Sequence, residues 1–265
     1  MGTVVEQFMS VLEPCGLNLY GVVSATAYDQ KAKPALRTSV LAPEAHSVIV
    51  FGSGGQRLWE AFLADLAVHP HHLTKEAHPL DAFVARSLRS ASKQASGVSH
   101  RWFTPTDDAE ICLDFRSLAV DAGLGVSSRL GLVIREDVGP WIGLRAACFV
   151  GEAIPTTPLK SNICAACAGP CEAACPGMAF TDGAWDFVKC ADFHQADVRC
   201  AQGCDARLAC PVGQESRYTA LQRLYHYDRK AGRRALAEHL GIQGDEHVGI
   251  GPDWGGSVAK YSTDY

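Results

Sequence analysis

Cys164-x2-Cys167-x3-Cys171-x3-Cys175-Pro176, followed by Cys190, Cys200, Cys204 and Cys210-Pro211, is the stretch on which the reading of this chain turns. Eight of its eleven cysteines fall between residues 164 and 210. Eight thiolates are the complement of two four-cysteine clusters, and a cysteine–proline pair closes each half. Thiolates two and three residues apart converge on one cuboidal cluster from a tight turn, while the fourth of the run points away to the other cluster. That logic assigns Cys164, Cys167, Cys171 and Cys210 to one [4Fe–4S] cluster, and Cys175, Cys190, Cys200 and Cys204 to a second. The competing chemistry for the same residues is a pair of structural zinc sites with four cysteine ligands each. Closure of both halves by Cys-Pro favours iron and sulfur. Cys15, Cys112 and Cys148 lie outside the run and read as small apolar residues without a role.

The rest of the chain sets the bounds. Its 265 residues suffice for one substantial domain and a small module. A composition of 47% hydrophobic and 20% charged residues is ordinary for a soluble globular protein. The formal net charge of −5 offers no general attraction to nucleic acid, which is therefore disfavoured as a partner. The opening MGTVVEQFMSVLEPCG has neither the basic start nor the apolar core of a secretory signal, and Glu6 stands where a myristoylation signal wants Ser or Thr. No apolar run approaches the ~20 residues that span a bilayer, so the expectation is a cytoplasmic protein with no membrane partner. In a reducing compartment, clustered cysteines are ligands more often than disulfides.

Three regions follow: an α/β domain over 1–160, a ferredoxin-like module with two clusters over 161–212, and C-terminal helices and tail over 213–265 that complete the first domain. Ser47 to Phe51 reads as a buried strand ended by Gly52-Ser53-Gly54-Gly55, which lacks the lysine of a phosphate loop and reads as a turn. Leu58, Phe62 and Leu66 mark a helix, and Pro79 opens another with Leu80, Phe83, Val84 and Leu88 on its apolar stripe. Phe115, Leu118, Ala119 and Ala122 predict a helix stopped by Gly123-Leu124-Gly125. Leu130–Ile134 and Ala146–Val150 read as strands joined by the Gly139-Pro140-Trp141 turn. Tyr218, Leu221, Leu224, Tyr225, Leu236 and Leu240 restore helical spacing. His69, His71, His72 and His78 straddle Pro70 in a spacing poor for one metal site and read as a solvated loop. Arg229-Lys230 and Arg233-Arg234 read as a solvated helix face.

Two resemblances sharpen this. Val120-Asp121-Ala122-Gly123-Leu124-Gly125, then Leu132-Val133-Ile134 and Gly139-Pro140-Trp141, just upstream of eight cysteines, resemble epoxyqueuosine reductase, a cobalamin-dependent iron–sulfur enzyme. The likeness spans roughly 115–212. That family's aspartate ahead of the AGLG segment falls at Ala109, beside Asp107 and Asp108, and its C-terminal repeat and basic tRNA-binding surface have no counterpart in this sequence. The order of Leu12–Tyr20, the Phe51–Leu88 stretch, Gly139–Arg145, Gln214–Tyr218 and Arg233–Leu236 resembles CblC-type cobalamin-processing proteins along more of the chain. Animal members of that family lack the cysteines and carry His where this chain has Leu124.

Both resemblances imply a nitroreductase-like α+β sheet domain and a bound cobalamin. The CblC-type likeness makes cobalamin the substrate: the main expectation is a cyanocobalamin reductase that removes the upper axial ligand, with electrons reaching cobalt through the two clusters from an external reductase, flavodoxin or ferredoxin. A cobalamin-dependent tRNA-modifying enzyme, or a simple electron carrier, is the alternative. The same likeness implies that Arg145, Arg217 and either Arg233 or Arg234, with Trp141 in the same segment as Arg145, face the cofactor or glutathione. A guanidinium fork suits carboxylate and the amide and phosphate groups around a corrin.

Overall fold

The structure, a computed structural model, describes residues 2–242 except 96, 107–110, 160–161, 182–183, 198 and 201–202. Its strands are β1 (Leu19–Ser24), β2 (Ser47–Gly54), β3 (His100–Phe103), β4 (Val126–Ser127), β5 (Val133–Ile134), β6 (Ile142–Val150), β7 (Phe180–Thr181) and β8 (Ala184–Trp185). Its helices are α1 (Val4–Leu12), α2 (Ala25–Lys31), α3 (Thr38–Leu41), α4 (Arg57–Val68), α5 (His71–Lys75), α6 (Pro79–Gln94), α7 (Phe115–Asp121), α8 (Pro170–Ala174), α9 (Phe187–Ala196), α10 (Asp205–Leu208), α11 (Ala220–Tyr227) and α12 (Arg229–Leu240).

Strand periodicity explains the architecture. The main sheet runs β1-β2-β6-β3 with every neighbour antiparallel. Along β2, Ile49 and Phe51 face one core and Val48 and Val50 the other; along β6, Ala146, Cys148 and Val150 part from Ala147 and Phe149 in the same way. A strand apolar on both faces must be covered on both. On the first side α1, α4 and α6 bring Phe8, Phe62 and Phe83, and Tyr225 and Leu236 of α11 and α12 join them. On the other, Tyr28, Leu41, Leu118 and Ala119 come from α2, α3 and α7. The result is a mixed helix-and-sheet fold with an antiparallel sheet between two helical layers. Truncating Phe51 or Phe62, both fully buried, costs about 3–5 kcal/mol. Helix starts follow local chemistry: Thr3 and Glu6 form a reciprocal capping box on α1, and Asp114 accepts from Arg116 N and Ser117 N at α7.

Two expectations shift. β2 continues through Gly52-Ser53-Gly54, with a register shift at Phe51/Gly52. A Cβ at Gly52 would stand 3.1 Å from the Gly143 carbonyl, so glycine lets the strand persist beside β6 instead of ending it. The strand expected over 130–134 contracts to Val133–Ile134 and pairs with Val126–Ser127, not with β6. Gly131, at φ +67 with the Trp185 ring where a side chain would go, closes a turn back to Ser128.

The cysteine region is not a detached appendage. Cys171, Ala206 and Cys210 share a small core with Val126, Leu130 and Ile134. No helix among the described residues is long and apolar enough to cross a membrane.

Candidate metal centre

The eight cysteines occupy turns and the ends of short helices. Cys164 and Cys167 sit on one turn, with Cys167 N donating to Cys164 O at 3.2 Å and Asn162 Oδ1 accepting from Cys164 N at 2.9 Å. Gly169, left-handed at φ 74, starts α8, which carries Cys171 and ends at Cys175. Cys190 lies on α9, Cys200 on the turn after it, Cys204 at the start of α10 and Cys210 two residues past its end. All eight are free thiols.

Their electrostatics sort them into two sets. Burial pushes the Cys171 thiol up, and Cys210 adds to it; burial pushes Cys210 up, and Cys164 and Cys167 add to it. Burial likewise raises Cys190, Cys200 and Cys204, with Cys175 adding to each, and Cys200 reaches about 11. The sets are Cys164, Cys167, Cys171, Cys210 and Cys175, Cys190, Cys200, Cys204. Thiols held this high deprotonate as they take metal, so loading releases protons. Among the described residues no three cysteine sulfurs lie within 4.8 Å of one another.

Between the two sets runs α10, and Arg207 on it is the joint to the sheet domain. Arg207 is 9% exposed. Its Nη2 and Nε donate to the Pro140 carbonyl at 2.7 and 3.2 Å. The guanidinium lies 4.5 Å from the Trp141 ring centre and 4.8 Å from that of Tyr218, a cation held between two π faces. Arg217 braces the same helix, its Nη2 donating to Leu208 O at 2.6 Å. Beside them Gly139 and Gly213, both left-handed, pack backbone on backbone: a Cβ at Gly213 would fall 2.2 Å from Gly139 N. The GPW turn and the loop after Cys210-Pro211 thus meet at a distance only glycine permits.

The N-terminal end of β6 is the open end of the sheet. Ile142 to Arg145 are partly exposed, whereas Ala146 to Val150 are buried. A narrow crevice here is lined by Ser53, Trp59, Arg145, Tyr218, Gln222 and His226. Arg145 pairs loosely with Asp81 at 3.5 Å, while its Nε and Gln222 Oε1 are buried without a hydrogen-bond partner among the described residues. Burial, then Arg145, Arg207 and Arg229, pushes His226 down to about 3, so it is neutral at physiological pH. The crevice thus gathers an unpaired donor, an unpaired acceptor and a neutral imidazole.

The four residues expected at the cofactor divide. Arg145 lines the crevice. Trp141 is 1% exposed and belongs to the stack around Arg207. Arg217 braces α10, and Arg234 is exposed on α12. Its neighbour Arg233, expected on a solvated face, is instead buried and donates to the Leu73, Glu76 and Ala77 carbonyls, stitching α12 to the α5 turn. The histidine loop is also tighter than expected. His72 Nδ1 lies 2.7 Å from Asp65 Oδ2, His69 Nδ1 3.5 Å from Asp65 Oδ1, and Arg86 reaches both Asp65 and His72. Arg86 fills that cluster as its cation. Asp107, Asp108 and Ala109 lie outside the described residues. Sequence reasoning missed Arg207, Gln222 and His226; only the Cys204-x2-Arg207-x2-Cys210 spacing hinted at the first.

The comparisons fit this geometry. No family model and no curated protein matches the chain. An epoxyqueuosine reductase solved with a tRNA-Tyr epoxyqueuosine-modified stem loop superposes with TM-score 0.59 at 14% identity, covering 91% of this chain and 76% of the other. The enzyme from Streptococcus thermophilus gives 0.55 at 14% identity, over 91% and 80%. The chain has the fold of epoxyqueuosine reductases. The expectation of a CblC-type decyanase finds no support in these neighbours, which fit the epoxyqueuosine-reductase-like alternative better. The expectation that nucleic acid is disfavoured also loses its footing, because one neighbour is a complex with RNA. Net charge averages over the chain, whereas binding depends on the local surface.

Proposed function

We propose that this chain is a cobalamin-dependent iron–sulfur reductase of the epoxyqueuosine-reductase type, with an RNA nucleoside epoxide as the substrate to be tried first. The observation that carries the reading is the pair of four-cysteine sets keyed by Arg207 onto a domain with that enzyme's fold.

In this reading Cys164, Cys167, Cys171 and Cys210 hold one [4Fe–4S] cluster, and Cys175, Cys190, Cys200 and Cys204 the other. An external low-potential reductase, flavodoxin or ferredoxin supplies electrons one at a time. A corrin bound at the open end of β6 would supply a reducible cobalt facing the substrate. The chain's own part is positional. Arg145 Nε and Gln222 Oε1 offer a donor and an acceptor to the corrin's amide rim, and neutral His226 adds a hydrogen bond without adding charge. Reducing an epoxide to an alkene consumes two electrons and two protons and releases water. With Ala109 at the position of the family's aspartate, Asp108 and Glu110, its two neighbours, are the nearest carboxyls in sequence for the proton delivery.

The test is anaerobic reconstitution of the full chain, iron analysis, cobalamin titration by absorbance, then incubation with reductant and an epoxyqueuosine-bearing anticodon stem loop. About eight irons per chain, cobalamin binding and loss of one oxygen from the RNA are expected. Cobalamin binding with release of cyanide but an unchanged stem loop would restore the decyanase reading. A protein that binds no cobalamin refutes both.

A further inference from the structure

We propose that Arg207 sets the reduction potential of the cluster ligated by Cys204, acting as a fixed cation at the seam between the cysteine region and the sheet domain. The inference rests on the two-cluster reading above and goes beyond it by naming a residue that is no ligand.

Three observations converge. Arg207 is buried, and among the described residues no carboxylate lies within ion-pair distance of it. What surrounds the guanidinium is the Pro140 carbonyl, the faces of Trp141 and Tyr218, and the phenols of Tyr218 and Tyr227, all formally neutral. A buried cation with only neutral partners is costly to keep unless a negative charge lies close by. The candidate is on its own helix: Cys204 caps the start of α10 three residues before Arg207, one helical turn away, the spacing at which side chains on a helix are neighbours. A cluster on four thiolates is an anion, and it gains one further negative charge on reduction. A cation fixed beside it stabilises the reduced form more than the oxidised form and raises the potential. Arg217, which acts on Cys210, stands in the same relation to the other set, but it is more exposed and therefore better screened by water.

Geometry also says why an arginine serves here. A planar fork can stack between two rings and still donate twice to one carbonyl, which the ammonium of a lysine cannot do. The charge is thereby held still relative to the cluster.

The experiment compares the wild-type protein with Arg207→Met, Arg207→Gln and Arg207→Lys, each reconstituted anaerobically. Iron and sulfide are counted, and both clusters are followed by EPR-monitored redox titration. If the wild type holds no pair of clusters, the functional reading fails before this inference is reached. With both clusters present, neutralising Arg207 should shift the reduction equilibrium of one cluster at least tenfold towards the oxidised form. That is about 59 mV for a one-electron couple. The other cluster should move less than threefold, and Arg207→Lys should recover most of the shift while unfolding at a lower temperature. Two clusters with unmoved potentials in the neutral variants overturn the proposal, as does a lysine variant no different from them. Should neither neutral variant hold iron, recovery of iron by Arg207→Lys supports a need for the charge; failure of all three makes Arg207 a packing residue and also overturns it.

Discussion

Replacing Gly213 by alanine tests the joint between the cysteine region and the sheet most directly. Gly213 sits at φ +66, where a β-carbon costs about 1–2 kcal/mol in backbone energy alone. The new methyl would stand 2.2 Å from both Gly139 N and the Val138 carbonyl carbon. Both obstacles are backbone, so no side chain can turn aside and the GPW turn must move. Overpacking of that kind adds about 1–3 kcal/mol. Together the loss is about 2–5 kcal/mol, which for a chain of this size lowers the unfolding temperature by roughly 5–15 °C. Gly241→Ala is the matched control: the same left-handed backbone at φ +64, but no atom of the described residues within 4 Å of the added carbon. It should cost only the backbone strain of about 1–2 kcal/mol, roughly 2–6 °C. Thermal unfolding by circular dichroism of the three proteins, with iron content measured in parallel, gives both numbers. If Gly213→Ala and Gly241→Ala destabilise equally, the interlock of Gly139 with Gly213 carries no energy and the description of the joint is wrong.

Cys164→Ser and Cys190→Ser should each halve the iron, from about eight atoms to about four, because each removes a ligand from a different set; loss of all iron in either variant on elemental analysis would argue against independent sets. Arg145→Ala should weaken cobalamin binding about tenfold in an absorbance titration while iron stays unchanged, since a buried donor worth about 1.4 kcal/mol is gone; an unchanged affinity would place the corrin elsewhere. His226 yields a pH signature. Its folded pKa, about 3, lies below the unfolded value of about 6.5, so its contribution to stability is full above pH 6.5 and is lost as pH falls towards 3. Between pH 7 and 5.5 the wild type should lose about 1.2 kcal/mol more than His226→Gln in denaturant unfolding; parallel pH profiles would show that the imidazole is solvated.

The two central strands, β2 and β6, were legible for one reason, whereas the outer strands β1 and β3 went unread and the joint was hidden for another. Apolar alternation in β6 and the spacing of Cys164, Cys167 and Cys171 are local properties, written within ten residues of chain. The helices at Leu58, Pro79 and Phe115 likewise announce themselves by period and cap. The pairing of β5 with β4 was not legible, because it depends on Gly131 yielding its side-chain space to Trp185, more than fifty residues away. Arg233 misled for a related reason: a basic doublet on a helix usually faces water, and only the arrival of the α5 turn supplies the three carbonyls that bury one arginine and leave the next exposed.

Arg207 shows how a buried joint residue escapes pattern reading altogether. Nothing about an arginine between two cysteines distinguishes a solvated surface charge from a buried one; the difference is made by Pro140 and Trp141, some 66 residues earlier, and by Tyr218 beyond. Each partner alone has an ordinary explanation: a turn, a core tryptophan, a helix-flanking tyrosine. Their convergence on one guanidinium makes the seam between the two parts of the chain electrostatic as well as steric. The same contact that fixes where the cysteine region sits relative to β6 also buries a charge on the helix that Cys204 caps. Docking and cluster energetics cannot then be varied independently: a substitution at Trp141 that lets the guanidinium drift from Cys204 should lower that cluster's potential without touching a ligand, and a Trp141→Leu protein with both clusters present and both potentials unchanged would show the two to be separable.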